Sequence, residues 1–270
     1  MKLTILGSGT IIPDPQRNPS GLLLEHAQQQ WALDLGPGNL QRLQAHAVSP
    51  PSLDGLLLSH FHLDHVGDLP HLLFGLRIPG NARTKPLVLH GPRGLKRLLE
   101  GYGELWGRWI EPRGYEIEIH EWEEGDQFFL GDLKVEVFEA LHGGDKQHCL
   151  SYRIATPAGS IFAWSGDSDY SESLLRCCHN ADLALLDCAC SEENKVEGHM
   201  SPGLCGAVAA NAGIEQTVLT HFYPRSFRLP EDSLLEPERR ELHARYRAQF
   251  AEKAHKEPVL ASDGMIFELV

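Results

Sequence analysis

The sequence predicts an α/β layered sandwich, on three observations. Short apolar runs bounded by Gly, Pro and Asp recur from the N-terminus to the C-terminus, and segments with apolar residues at helical spacing interleave them. No Ser/Gly linker, charge block, low-complexity tract or short-period repeat divides the 270 residues. Strands with helices between them imply layers, and 42% apolar content is ample for one core, so a single domain over residues 1–270 is expected.

The elements follow in chain order. KLTILGSG, GLLLEHA and QWALDLG read as strands separated by turns, and NLQRLQAH as a helix. GLLLSH and PLVLHGP are the next strands, with helical patterns at DLPHLLFGL between them and RGLKRLLEGYG after them. YEIEIHEW alternates as a strand with a polar face, and HEWEEGD runs from it into a turn. FFLGDLKVEVFEALH and CLSYRIATPAGSIFAWSGD continue in extended form. Then come a helix at SESLLRCCHN, the strand DLALLDC, the helix SPGLCGAVAANAG and the strand TVLTHF. A charged helix within EPERRELHARYRAQFAEKAHK and a terminal strand near MIFELV complete the chain.

Composition narrows the function classes. The start, MKLTILGSGT, is too short and too soon broken by Gly7 for a signal segment, and no stretch approaches the ~18 apolar residues of a membrane span. A cytoplasmic protein is expected. The six cysteines lie in apolar surroundings without a CxxC pair, which predicts reduced core thiols and no Cys-based zinc site. With 37 acidic against 24 basic residues the net charge is -13, which disfavours a large nucleic-acid footprint and suits small substrates. GSGTIIPDPQRNPSG has G-x-G after a strand, but Pro13 and Pro15 follow and no third glycine opens a helix, so no dinucleotide fingerprint is present.

The chemistry concentrates in HFHLDH, residues 60 to 65. With GLLLS extended, His60 stands at the strand's exit, His62 and Asp64 on the turn, and His65 at the start of the next element. Buried imidazoles and carboxylates need strong partners or a ligand. Four donors in six positions suit two metals better than one, His60 and His62 serving one ion and Asp64 and His65 a second. His142 ends VEVFEALH, Asp167 ends IFAWSGD, His199 sits in EGHMSP and His221 ends TVLTH. Each alone is an ordinary turn residue, but together they form a series of strand-edge ligands.

HFHLDH resembles the H-x-H-x-D-H signature of the metallo-β-lactamase-fold hydrolases, and His142, Asp167 and His221 match the later ligand motifs, so the resemblance covers essentially the whole chain. It implies a four-layer αβ/βα sandwich, two mixed sheets with helices on the outer faces. It also implies two metals, usually zinc, with manganese or iron open by ligand type. The first would be held by His60, His62 and His142, the second by Asp64, His65 and His221, with Asp167 bridging. LGSGTIIPDPQRNPSGLLLE, LDLGPGNLQRL, VLHGPRGLKRLLEGY and, above all, EGHMSPGLCGAVAANAGIEQTVLTHFYPR are similar to the ribonuclease Z-like branch. Its acid histidine corresponds to His199, and Asp187 in DCA stands where that branch has the Glu that orients it. The branch's tRNA-gripping arm is missing, since only 24 residues separate His142 from Asp167. Relatives are often dimers, so a homodimer is expected.

The reaction implied is hydrolysis by a metal-bridging hydroxide, with Asp64 orienting the nucleophile's proton and His199 protonating the leaving group. A phosphodiesterase acting on a tRNA 3' end or on a small or cyclic nucleotide diester is the first expectation. An acyl hydrolase (lactonase or thioesterase) in the same site and a metal- or cofactor-handling protein without turnover are the alternatives. Arg17 and Arg225 are weaker candidates for a phosphate contact.

Overall fold

The computed structural model describes residues 1–81, 83–144, 148–223 and 236–270, the last without side chains for 236–239. Arg225 lies outside the described residues. The chain forms two compact units, Met1–Glu123 with Ser262–Glu268, and Glu124–Ala261 with Leu269–Val270.

The first unit holds strands β1 (Lys2–Gly7), β2 (Gly21–His26), β3 (Gln29–Leu35), β4 (Gly55–Leu57), β5 (Leu87–Pro92) and β6 (Ile117–Trp122), and helices α1 (Asn39–Ala45), α2 (Leu63–Val66), α3 (Leu69–Gly75) and α4 (Leu95–Trp106). The second holds strands β7 (Gln127–Leu130), β8 (Leu133–Glu139), β9 (Leu150–Ala155), β10 (Ile161–Trp164), β11 (Leu183–Asp187), β12 (Gln216–Thr220) and β13 (Val259–Leu260), and helices α5 (Glu172–Cys178), α6 (Pro202–Ala212) and α7 (Glu236–Ala254). β14 (Ile266–Glu268) returns to the first.

In the first unit the strand order is β14-β1-β2-β3-β4-β5-β6. β14 through β3 pair antiparallel and β3 through β6 parallel. The β2–β3 hairpin turns on Ala27 and Gln28, both at positive φ, the backbone twist a two-residue turn needs. Leu56, Leu87 and Leu89 from the parallel strands, and Leu58 just after β4, pack with Leu40 and Leu43 of α1 and Leu69, Leu72 and Leu73 of α3. Arg83 is buried beside this core, and its guanidinium donates to the carbonyls of Pro51, Leu53, Asp54, Lys85 and Pro86. One cation thereby bonds five carbonyls, of which that of Asp54 also accepts the Val88 N–H at 3.3 Å.

In the second unit the order is β13-β12-β11-β10-β9-β8-β7. β7 through β10 pair antiparallel and β10 through β13 parallel. FFLGDLKVEV is a hairpin rather than one long strand, because Gly131 at φ 63 turns the chain between Leu130 and Leu133. β8, two antiparallel steps from β10, runs in the same direction as β10, β11 and β12. Residues that follow these four strands therefore emerge at one edge of the sheet.

All six cysteines are buried. Among the described residues no helix is long and apolar enough to cross a membrane.

Candidate metal centre

In the first unit the cluster forms where β3 and β4, neighbouring parallel strands, end. His60 follows β4, and Asp64 and His65 occupy α2, a single turn where the sequence suggested a loop for Asp64. His60 and His65 are buried, and their rings lie 4.1 Å apart between centroids. His60 Nε2 and His62 Nδ1 lie 3.0 Å apart. Two nitrogens bonded to one tetrahedral ion at ~2.0–2.1 Å would stand roughly 3.3 Å from each other, so this pair is spaced for a shared ion.

Asp34, fully buried at φ 55 near the end of β3, sets the tautomers. It accepts Nδ1–H of His65 at 2.6 Å and the hydroxyl of Ser59 at 2.8 Å. Since Ser59 gives its proton to Asp34, its oxygen can only accept from His60 Nδ1, 3.0 Å away. One carboxylate thus orients two rings with Nδ1 protonated and Nε2 carrying the lone pair, the second-sphere arrangement typical of histidine ligands. Burial pushes the Asp34 carboxyl up, and the His65 charge and the bonds from His65 and Ser59 offset only part of that. Asp64 Oδ2 accepts the backbone N–H of Ile11 at 3.1 Å.

In the second unit His142, Asp167, Asp187 and His221 follow or end β8, β10, β11 and β12 at the common edge, and His199 stands between β11 and α6. His142 donates Nδ1–H to the Gly198 carbonyl at 2.8 Å, which again presents Nε2. The two Asp167 oxygens address different rings: Oδ2 lies 3.8 Å from His142 Nε2, and Oδ1 lies 3.4 Å from His221 Nε2. That divergence is what a bridging carboxylate needs. Asp167, Asp187, His199 and His221 each bring one donor atom within 4.8 Å of the others.

Asp187 and His199 meet at 2.8 Å, Oδ2 accepting Nδ1–H. Asp187 is itself fixed by the backbone N–H groups of Ala189 and Ser168 and is completely buried. Burial pushes its carboxyl up, but the His199 charge and the bonds of His199 and His221 outweigh that and hold it below the ordinary value. Burial pushes the His199 imidazole down, while Asp187 and Asp167 outweigh it and raise the ring above its ordinary value.

The residues the motif singled out thus gather into two clusters, one on each unit. Arg17 instead turns inward, donating to Ser8 Oγ at 2.7 Å. Sequence reasoning missed Asp34, Ser59 and Gly198. Asp34 had a signal, since an acid inside the apolar run WALDLG needs a partner as much as HFHLDH does. The Gly198 carbonyl had none.

Imidazoles fixed to present Nε2, beside carboxylates at strand ends, fit divalent metal ions and define a metal-dependent hydrolase of the metallo-β-lactamase fold. The chain belongs to the beta-lactamase superfamily: residues 32–222 match the family described as Beta-lactamase superfamily domain. An uncharacterized protein of Mycobacterium tuberculosis is 29% identical over 227 residues, 83% of this chain and 81% of that protein. A ribonuclease Z of Exiguobacterium is 31% identical over 186 residues, 64% of this chain and 60% of that one, and a ribonuclease BN of Citrobacter koseri is 27% identical over 283 residues, 83% and 90%. Among solved structures, the metallo-beta-lactamase fold protein YhfI of Bacillus subtilis superposes with a TM-score of 0.79 at 21% identity, covering 98% of each chain. The short form of human tRNase Z gives 0.74 at 20%, covering 99% of each. The expected fold class, two mixed sheets with helices in an α/β sandwich, is that of these neighbours.

Proposed function

We propose that the chain is a dinuclear phosphodiesterase, a single hydrolase domain over residues 1–270. By the family resemblance, His60, His62 and His142 would hold one ion and Asp64, His65 and His221 the other, with Asp167 as a ligand to both. The ions, zinc by the donor set with manganese or iron as alternatives, would supply Lewis acidity to the attacking water and to the oxygen charge that develops on phosphorus. Asp64 orients the nucleophile's proton. His199, its Nδ1 side held by Asp187, gives a proton from Nε2 to the departing alkoxide.

The Asp187–His199 pair carries this reading. An alkoxide is a poor leaving group, and a positioned acid is worth ~10²–10⁴ in rate there, whereas a thioester, which expels a thiolate, gains little from one. The ribonuclease names of two relatives favour a phosphodiester. The net charge of -13 and the short His142–Asp167 segment favour a small or cyclic nucleotide diester over a long tRNA, whose 3' end is the second substrate to try. Buried thiols suit a reducing cytoplasm, and a homodimer, expected from the resemblance, is checked by sedimentation.

Metal analysis of the purified protein should return about two ions per chain. The rate loss in His199→Ala should reach ~10²-fold or more for a diester with an alkyl leaving group and be much smaller for bis-p-nitrophenyl phosphate, whose leaving group needs no proton. Equal losses on both substrates would remove the acid role. Faster turnover of lactones or thioesters, indifferent to His199→Ala, would replace the phosphodiester by an acyl substrate.

A further inference from the structure

The loop from Ser8 to Asn18, which joins β1 to β2, is gripped at both ends by a residue far away in sequence. Asp263, with a side chain only 5% exposed, lies just before β14 in the first unit. Its Oδ1 accepts the backbone N–H of Ser8 at 3.0 Å and the Ser8 hydroxyl at 2.8 Å. Its Oδ2 accepts the backbone N–H of Asn18 at 2.8 Å and an Arg42 guanidinium N–H at 3.2 Å. Four donors on one carboxylate leave it little freedom to turn.

The loop is also closed on itself. Gly9 N–H donates to Asn18 O at 2.8 Å, and Arg17 donates to the same Ser8 oxygen that donates to Asp263. The two limbs touch: a Cβ at Gly9 would come within 2.9 Å of Arg17 Cβ. From this braced loop the Ile11 N–H reaches out to Asp64 Oδ2 at 3.1 Å. The same Oδ2 lies 3.9 Å from His65 Nε2, so a backbone donor on it limits how the carboxylate can turn beside that ring.

We propose that Asp263 is a positioning residue for Asp64. By clamping both ends of the loop it holds the Ile11 N–H against Asp64 Oδ2, and the Asp64 carboxylate is thereby presented to the metal at a fixed angle. This rests on the reading of Asp64 as a metal ligand given above. The device resembles the outer partners of other metal ligands, whose removal costs about 10–100-fold in affinity or activity, except that here the effect travels through a loop.

The test is Asp263→Asn, alone and combined with Asp64→Asn, in the full chain, with zinc as the probe. Asparagine keeps the size but can accept at only one oxygen, so the grip on either Ser8 or Asn18 is lost. In the single variant the affinity for the weaker-held zinc, measured by competition with a chromogenic chelator, should fall about 10–100-fold. The kcat should fall with it and KM change less than about threefold. In the Asp64→Asn background Asp263→Asn should change zinc affinity no further. Equal losses in both backgrounds, or unchanged affinity in the single variant, would overturn the proposal. If Asp263→Asn does not fold, Ser8→Ala, which removes one of the four bonds, must show the same background-dependent loss in smaller measure, and indifference there overturns the proposal equally. Asp64→Asn alone retaining two tightly held zinc ions would strike out the ligand assignment itself, a result read separately from the effect of Asp263→Asn on the native chain.

Discussion

His65 donates its Nδ1 proton to Asp34 Oδ2 across 2.6 Å, with both side chains sealed from solvent. Because Ser59 also commits its hydroxyl to Asp34, this carboxylate fixes His60 as well as His65. In Asp34→Asn the single amide oxygen can replace Oδ2, which accepts from His65 and the Ser59 hydroxyl, or Oδ1, which accepts the Ser59 backbone N–H at 2.8 Å, but not both, so an NH2 group faces one set of donors. The expected outcome is a loss of about 10–100-fold in metal affinity and in rate, measured by chelator competition and initial velocities on a protein shown to be folded by circular dichroism. Undiminished affinity would mean that the histidines are oriented by something else.

Gly198 tests the second cluster in the same way. It sits at φ 86, and an added Cβ would lie 2.9 Å from His142 Nδ1, on the side where the ring now bonds the Gly198 carbonyl. Gly198→Ala should therefore push the His142 ring off its acceptor, beyond the ~1–2 kcal/mol that a left-handed alanine costs the backbone. Metal analysis should show weakened retention of one ion, and urea unfolding should show only the modest backbone loss. A large stability loss with both ions retained would place the strain elsewhere.

These two positions show what a linear reading reaches. HFHLDH is legible because its donors are adjacent in sequence and follow an apolar run that fixes their strand, and His142, Asp167 and His221 are legible because each closely follows its own strand. The partners that orient the rings are not. Asp34 is 31 residues from His65 and reaches it only because β3 and β4 are neighbours in parallel register, and Gly198 reaches His142 through a backbone carbonyl that any residue type has. Asp263, held to Ser8 across 255 residues, depends on the pairing of the C-terminal strand with the first. The hairpin at Gly131 was legible in principle, since GD between extended runs is a turn signal, but the unbroken β-rich composition around it masked the turn.

Arg83 makes a prediction about stability alone. Its guanidinium is buried, and burial pushes its pKa down while the charge of Asp54 opposes the shift. In Arg83→Met the stem is replaced, but the carbonyls of Pro51, Leu53, Lys85 and Pro86 lose the guanidinium as donor and that of Asp54 keeps only the Val88 N–H. Leaving several buried acceptors unsatisfied should cost on the order of 3–5 kcal/mol, read as a lowered urea midpoint. Because no metal-cluster residue bonds Arg83 among these partners, the folded fraction should keep its metal stoichiometry. A midpoint within error of the native chain would show that water satisfies those carbonyls.

His90 predicts a pH dependence whose sign follows from its surroundings. The ring is buried on β5, stacked 5.0 Å from His120, and its Nδ1 accepts the indole N–H of Trp122 at 3.1 Å. Burial, and then the His120 charge, push its pKa down from 6.5 to about 3. Above pH 6.5 the ring is neutral in both the folded and the unfolded chain, and the pH has no leverage through it. Between 6.5 and about 3 the unfolded chain binds a proton that the folded chain refuses, so stability falls by about 1.4 kcal/mol per pH unit as the solution is acidified. At pH 5 the loss from this one residue is roughly 2 kcal/mol. In His90→Gln, whose side-chain oxygen can still accept from Trp122, that component vanishes. Urea unfolding at pH 7.5 and at pH 5 should therefore show the variant less stable than the native chain at the higher pH and nearer to it, by about 2 kcal/mol, at the lower. If the gap between the two proteins is the same at both pH values, the buried ring accepts its proton in the folded state and the stack is no barrier to it.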